Sequence, residues 1–374
     1  MSWARFLAIL TKEFRQVRRD RLTFGMMVVI PIVQLILFGF AINSDPKHLP
    51  LAVIDADTSE FSRAFIAGLE NSQYFRITQR ASSDREGDQL LARGIVQFTL
   101  AIPSDFSRRL ARGEKPVMLL AADATDPAAT GNALAALSGI AQQAIGRELT
   151  GTLAGLRPAD SPFEIRVQRR YNPEGLTRYN VVPGLIGVIL TMTMVMMTGL
   201  AMTRERERGT MENLLATPAK PFEVMLGKIV PYILIGYVQV TVILLMAKLL
   251  FDVPMVGSLW LLSLALILFI AANLAVGFTF STIARNQLQA MQLTFFFFLP
   301  SMLLTGFMFP FRGMPTWAQG IGEVLPLTHF LRVVRGILLK GNGIADIMPH
   351  LWPIALFMVV AGTVAMLRYR QTLD

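Results

Sequence analysis

The 374-residue sequence has no cysteine, only three histidines and few charged residues. Without cysteine, the chain forms no disulfide framework, no thiolate zinc site and no thiol nucleophile. The histidines, at positions 48, 329 and 350, show no metal-ligand spacing. Charged residues make up 16% of the chain, whereas soluble globular proteins have about 25%. The composition therefore argues against metal and thiol chemistry and against a soluble protein.

Short motifs of nucleotide-binding and hydrolytic sites are also missing. The sequence has no G-x-x-x-x-G-K-[ST] phosphate-binding loop, no nucleophile elbow and no H-E-x-x-H zinc motif. We therefore expect no catalytic residue, no cofactor and no metal on this chain.

Apolar residues are abundant: they make up 53% of the chain, and the mean hydropathy is +0.49. About 20 apolar residues in a helix cross the roughly 30 Å hydrocarbon layer of a bilayer. Runs of that length predict six transmembrane helices, at 22–43, 181–203, 229–250, 257–284, 288–310 and 349–369. Residues 1–21, with apolar side chains on one helical face and basic ones elsewhere, predict an amphipathic helix in the membrane interface.

Residues 44–179 differ from the rest of the chain. They hold 16 basic and 16 acidic residues, so the remainder carries the whole net charge of +9. Because that excess flanks the apolar runs, we interpret it as membrane-topology charge and expect no nucleic-acid partner. Strand-like segments at 51–55, 75–79, 95–103, 117–123 and 164–172 alternate with helix-like ones, for which Ser59, Ser82 or Ser83, and Ser104 are the predicted N-caps. The alternation predicts an α/β domain, inserted between the first and second transmembrane helices.

The distribution of Lys and Arg predicts the orientation. The N-terminal segment carries six of them and the loop 204–228 carries five, so both termini and this loop are predicted to face the cytosol. The 44–179 domain is then extracytoplasmic. Residues 180–374 hold transmembrane helices two to six and an external segment, 311–343, whose Pro and Gly breaks predict short helices that dip into the membrane and return. Arg312, Arg332, Arg335 and Lys340 in that segment run against the charge rule.

Several polar and aromatic residues allow two interpretations. Phe295 and Phe298 line an apolar substrate path or face lipid. Gln239 and Asn273, inside predicted spans, contact substrate or hydrogen-bond neighbouring helices. Arg332 and Arg335 lie three residues apart on one helix face, where they are candidates for holding an anionic headgroup of a lipid or a substrate.

The loop 204–228 is rich in charged residues and lies between two predicted spans. Its sequence is RERERGTMENLLATPAKPFEVMLGK. Gly209 permits a sharp turn where span two ends. Glu212, Leu214 and Leu215 then predict a short docking helix that Pro218 stops. On charge alone, an ordinary basic loop that obeys the topology rule would explain the segment equally well.

The amino-acid sequence of this loop resembles that of the cytosolic loop of type 2 ABC (ATP-binding cassette) exporter permeases. The similar residues are Glu207-Arg208-Gly209-Thr210-Met211-Glu212, Leu214-Leu215, Thr217-Pro218 and Gly227-Lys228. Five other segments resemble the same family. They are the basic amphipathic N-terminus, the first span with Pro31 and its FGFAIN end, the large external insert, the entry to span two from Tyr171 to Gly184, and PLTHFLRVVRGILLKG at 326–341. The likeness covers essentially the whole chain and is strongest to bacterial multidrug-type members with a large external domain.

This resemblance implies a non-enzymatic permease subunit of an exporter in the bacterial inner membrane. ATPase coupling would fall on Arg204, Glu205, Glu207, Arg208, Gly209, Thr210, Glu212, Leu214, Leu215 and Pro218. Implied partners are two copies of an ABC ATPase that binds Mg-ATP, a second permease as a homodimer or paralogous heterodimer, and membrane lipids, with a periplasmic adaptor as a further candidate. The implied cargo is an amphipathic or hydrophobic small molecule, drug-like or lipid-like.

Two alternatives from other classes stay open at this point. A membrane-anchored ligand sensor or assembly scaffold would use the 44–179 domain without any ATPase. An ion-coupled transporter would usually place a carboxylate within its spans. None of the six spans contains Asp or Glu, which disfavours the second alternative.

Overall fold

The computed structural model describes residues 46–146, 163–208 and 221–368, together with residue 32. The predicted interface helix at 1–21, the first span apart from residue 32, and the loop residues 209–220 lie outside the described residues. The described chain forms an α/β region followed by a bundle of long apolar helices.

The α/β region is built on a five-stranded sheet. Each of the five predicted strands is present: β1 (Leu49–Asp55), β2 (Phe75–Arg80), β3 (Phe98–Ile102), β4 (Val117–Asp123) and β5 (Glu164–Arg170). Their order is β2-β1-β3-β4-β5. Among these described strands, only the β3–β4 pair is antiparallel. The sheet therefore combines parallel βαβ units with one antiparallel strand pair, as is common in mixed sheets.

Four described helices accompany the sheet: α1 (Glu60–Asn71), α2 (Asp84–Ala92), α3 (Phe106–Ala111) and α4 (Pro127–Gly146). The Ser59 side chain caps α1 and the Ser83 side chain caps α2, as predicted. The prediction for Ser104 was wrong. The N-cap of α3 is Asp105, and its side chain makes no capping bond. The Phe106 amide instead donates to the Pro103 carbonyl, so Ser104 lies within a turn before the helix.

Packed phenylalanine rings form much of the core of the α/β region. Phe65 and Phe106 on the helices meet Phe163 edge-on, at centroid distances of 5.4 and 5.8 Å. Phe75 on β2 and Phe98 on β3, the strands on either side of β1, make a similar contact at 5.1 Å. Such edge-to-face pairs add to the stabilisation that burial of the rings already provides.

Five described helices are long and apolar enough to cross a membrane: α5 (Thr177–Glu207), α6 (Pro221–Phe251), α7 (Leu259–Ile283), α8 (Gln287–Leu304) and α11 (Ile344–Arg368). They correspond to predicted spans two to six. The fifth span was predicted to reach residue 310, but α8 ends at Leu304. Gly306 follows with φ of +83°, a conformation that breaks the helix and that glycine adopts without strain.

Short helices fill the segment between α8 and α11. They are a 3₁₀ turn (Phe311–Gly313), α9 (Thr316–Val324), α10 (Pro326–Arg335) and a π-helical turn (Gly336–Lys340). Phe330 of α10 stacks on Phe269, with ring centroids 4.0 Å apart. Since Phe269 lies ten residues into α7, α10 reaches about 15 Å along the bundle. This geometry is that of a segment that enters the bundle and returns. Its depth in a bilayer stays a prediction.

Contacts define the two ends of the bundle. At one end, the Val256 amide donates to the Leu338 carbonyl, and Asn342 and Arg312 donate to carbonyls of Ala92 and Gly94 in the α/β region. Three segments therefore lie together: the turn between α6 and α7, the segment after α8, and the α/β region. The predicted six-span topology places all three on the same side of the membrane. The opposite end carries the end of α5 and the start of α8.

Candidate functional site

The end of α5 is the described part of the predicted coupling loop. Arg204 and Glu205 lie in the last turns of this helix, Glu207 is its last residue, and the Arg208 amide donates to the Arg204 carbonyl at 3.0 Å. The other predicted coupling residues lie outside the described residues: Gly209, Thr210, Glu212, Leu214, Leu215 and Pro218. The docking helix expected there stays a prediction.

Glu207 joins the end of α5 to the start of α8. Its carboxylate accepts the Gln287 backbone amide at 2.9 Å and the Gln287 side-chain amide at 2.5 Å. A carboxylate at a helix N-terminus meets unpaired N–H groups and the positive end of the helix dipole. The side-chain and backbone hydrogen bonds from Gln287 lower the pKa of Glu207. Glu207 is therefore ionised at neutral pH and acts as a bridge between two membrane helices.

The start of α8 is otherwise ordered by its own side chains. Asn286 caps the helix by accepting the Gln289 amide at 2.8 Å, and the Gln289 side chain accepts the Arg285 amide at 2.8 Å. The sequence signalled this start through Asn286, a favoured N-cap residue. The partner of Glu207, 80 residues away, had no signal in the sequence.

A buried ion pair joins the α/β region to the other end of the bundle. The Lys340 ammonium donates to the Asp123 carboxylate at 2.5 Å, and the two side chains are only 8% and 10% exposed. Lys340 also donates to the Leu91 carbonyl at 3.2 Å and lies over the Tyr171 ring. Burial and the nearby Asp123 charge raise the pKa of Tyr171 to about 12. Sequence analysis marked Lys340 only as an exception to the charge rule.

The structure gives Arg332 and Arg335 different environments. Arg332 binds Glu323 with two hydrogen bonds, at 3.1 and 2.6 Å, and lies over the Phe311 ring. Arg335 donates to the Gly306 carbonyl at 3.3 Å, at the turn after α8. Only Arg332 therefore has a carboxylate partner among the described residues.

The four predicted path residues have separate surroundings. The Gln239 side chain accepts the Thr193 hydroxyl at 3.0 Å, which is a bond between α6 and α5. Asn273 is fully buried and donates to the Phe269 carbonyl of its own helix. Phe298 packs in the bundle core, whereas Phe295 is 37% exposed on the surface of this chain. The substrate path along these four residues stays a prediction.

The model of the family described as ABC-2 family transporter protein matches residues 21–367. The chain belongs to this family. It is a type 2 ABC permease, as the resemblance of its motifs predicted, and a multi-pass membrane protein.

Three relatives of this ABC-2 permease come from Escherichia coli K12. The probable multidrug ABC transporter permease YbhS is 31% identical over 352 residues, which cover 91% of this chain and 90% of YbhS. The probable multidrug permease YbhR is 26% identical, with 98% of both chains covered. The inner membrane transport permease YhhJ is 31% identical, with 97% and 96% covered. No solved structure matches the chain significantly.

Proposed function

We propose that this permease is the membrane subunit of an ATP-driven exporter of amphipathic or hydrophobic small molecules, drug-like or lipid-like. The supporting observation is the family match over residues 21–367, with relatives named as probable multidrug permeases. Cargo moves out of the cytoplasm or the inner leaflet, and a separate ABC ATPase hydrolyses Mg-ATP. The chain itself provides the conduit and the specificity.

The proposed assembly has two permeases, identical or paralogous, above two ATPase chains in the bacterial inner membrane. Both termini and the loop 204–228 face the cytosol, and the α/β region faces outside, where it gates or hands over cargo, with or without a periplasmic adaptor. The bundle geometry is compatible with this orientation, since the end of α5 and the α/β region lie at opposite ends.

The contact of Glu207 with Gln287 suggests how force enters the bundle. An ATPase that presses on residues 204–218 displaces the end of α5. Because Glu207 also binds the start of α8, the displacement reaches both helices together. Hydrogen bonds that an ionised carboxylate accepts are stronger than those between neutral groups, so this bridge is suited to transmit movement.

Co-purification with an ABC ATPase tests the proposed function. We expect the ATPase encoded beside the permease gene to co-purify with the full chain, and drug-like substrates to stimulate ATP hydrolysis in proteoliposomes. Replacing Glu212, Leu214 and Leu215 together by alanine should abolish this stimulation and transport. Transport without any ATPase would contradict the proposal and favour an ion-coupled mechanism, whereas the absence of both transport and an ATPase partner would favour the scaffold. Full activity of the triple variant would show that coupling does not use these three residues.

Replacing Glu207 by alanine should uncouple transport from hydrolysis. The change removes both bonds to α8, so we expect transport per ATP hydrolysed to fall by about tenfold, which corresponds to about 1.4 kcal/mol and is of the size expected for charge-assisted hydrogen bonds. Basal ATPase activity should stay within about twofold. The measurement is the ratio of transport to ATP hydrolysis in proteoliposomes.

Gln287→Ala and Glu70→Gln serve as the comparison variants. Gln287→Ala removes one of the two bonds and should show part of the Glu207→Ala defect, and the double variant should be no worse than Glu207→Ala alone. Glu70→Gln changes an exposed carboxylate on α1 and should be neutral. Fully additive defects would show that Glu207 acts through the ATPase surface rather than through α8.

A further inference from the structure

Arg335, the last residue of α10, places a guanidinium between α5 and the turn after α8. Its Nη1 donates to the Gly306 carbonyl in the turn after α8. Its Nη2 lies 3.5 Å from the point where a side chain on Gly184 of α5 would begin. Since Gly184 has no side chain, this edge of the guanidinium faces bare backbone of α5, beside the Phe307 ring.

Two of the nitrogen atoms of Arg335 have no partner among the described residues. Nε and Nη2 are both buried, and neither forms a hydrogen bond to any residue that the structure describes. A buried donor without an acceptor costs about 1–3 kcal/mol, and more when the group is charged. The Nε and Nη2 edge is also the side on which a guanidinium can bind two oxygens of one oxyanion.

The neighbouring carboxylates are engaged elsewhere. Asp123 binds Lys340, and Asp126 accepts the Asn180 side-chain amide at 3.1 Å and the Ala129 amide at 3.3 Å. Burial raises the pKa of Asp126 and the nearby Arg335 charge lowers it, so the two groups interact through space, but Asp126 accepts no hydrogen bond from Nε or Nη2 of Arg335. Arg332, one turn earlier on α10, differs from Arg335 because it donates two hydrogen bonds to the Glu323 carboxylate.

We propose that the Nε and Nη2 edge of Arg335 binds the oxyanion headgroup of an anionic amphiphile, at the end of the bundle that contacts the α/β region. A phosphate or another oxyanion supplies the two acceptors that the guanidinium lacks. The apolar part of the ligand packs near Phe307. Arg335 as a whole residue is partly exposed, but Nε and Nη2 themselves are covered, so the ligand reaches this edge when α5 and the turn after α8 separate there.

Thermal unfolding of the purified full chain in a neutral detergent tests this site, with dodecyl phosphate as the probe and dodecyltrimethylammonium as the cationic control. Dodecyl phosphate should raise the melting temperature of the wild type in a concentration-dependent way. Arg335→Gln should weaken the apparent affinity by about tenfold or more, the size expected for loss of a charge-assisted pair. Arg335→Lys should retain part of the affinity, because lysine keeps the charge without the planar edge.

The matched control removes the same charge one turn away. Arg332→Gln, combined with Glu323→Gln so that no carboxylate is left unpaired, should leave the affinity within about twofold. Equal losses in Arg335→Gln and in this double variant would overturn the proposal, as would equal stabilisation by the anionic and cationic probes. If Arg335→Gln does not fold, Arg335→Lys decides, and wild-type affinity in that variant would also overturn it.

Competition identifies the source of the headgroup. Displacement of dodecyl phosphate by phosphatidylglycerol in nanodiscs, but not by phosphatidylcholine, assigns the site to a membrane lipid. Lack of displacement by phosphatidylglycerol assigns it to a free amphiphile, such as cargo. Displacement by inorganic phosphate would show that the oxyanion alone is recognised. Each of these outcomes presupposes the Arg335-dependent binding measured first.

Discussion

Lys340→Met is expected to destabilise the permease by about 3–5 kcal/mol, the cost of leaving one member of a buried ion pair without its partner. The change leaves the Asp123 carboxylate, about 10% exposed, without the ammonium that it binds at 2.5 Å. The Thr125 hydroxyl still donates to Asp123, but a neutral donor does not balance a buried charge. Thermal or denaturant unfolding of the detergent-solubilised chain measures the loss.

A double-mutant cycle separates the ion pair from other effects of the lysine. Asp123→Asn should be destabilising as well, and Asp123→Asn combined with Lys340→Met should recover much of the loss, because no uncompensated charge remains. Arg109→Gln, which breaks an exposed pair with Glu114, should leave the unfolding transition unchanged. If Lys340→Met proves as harmless as Arg109→Gln, the α/β region does not depend on this pair for its attachment to the bundle.

The same ion pair shows which features the sequence could predict. The strands and membrane helices follow from local hydrophobic patterns, and each predicted strand and each described span is present where those patterns lie. The contact between Asp123 and Lys340 joins residues 217 positions apart. No local pattern specifies such a pair, because it depends on how the α/β region sits on the bundle.

Local predictions failed where backbone geometry overrode residue preference. Residues 305–310 are largely apolar, yet α8 ends before them because Gly306 adopts a positive φ. Ser104 is a favoured N-cap residue, but the Pro103 carbonyl accepts the Phe106 amide and holds Ser104 in a turn. Both errors lie at element boundaries, where one backbone hydrogen bond or one dihedral angle decides.

The sequence named candidate residues for the site but gave no information about their contacts. The motif resemblance marked Glu207 for the ATPase interface, whereas the described structure shows an intramolecular contact with α8. The helical spacing of Arg332 and Arg335 suggested a joint role, but Glu323 engages only Arg332 among the described residues. Which of two similar cations stays unpaired depends on packing between distant helices, and one sequence does not encode that in any local pattern.

Gly277→Ala is expected to destabilise the bundle by about 1–3 kcal/mol or more, because the close approach of α5 and α7 leaves no room for a side chain. A Cβ at this position would lie 2.7 Å from the Val195 carbonyl oxygen and 2.8 Å from the Thr198 Cβ. The first of these is a backbone atom in the middle of a helix, so relief requires α5 itself to move. The expected result is a lower melting temperature and a lower yield of monodisperse protein.

Gly362→Ala is the matched control, since this glycine also lies inside a membrane helix but has no described atom within 4 Å of the point that a Cβ would occupy. Alanine forms helices better than glycine by about 1 kcal/mol, so the control should be neutral or slightly stabilising. The comparison removes helix propensity from the interpretation of Gly277→Ala. Displacement of α5 should also disturb the Glu207 bridge at its end, so surviving Gly277→Ala protein should transport less per ATP hydrolysed. Equal stability of the two alanine variants would show that α5 and α7 pack less closely than the structure places them.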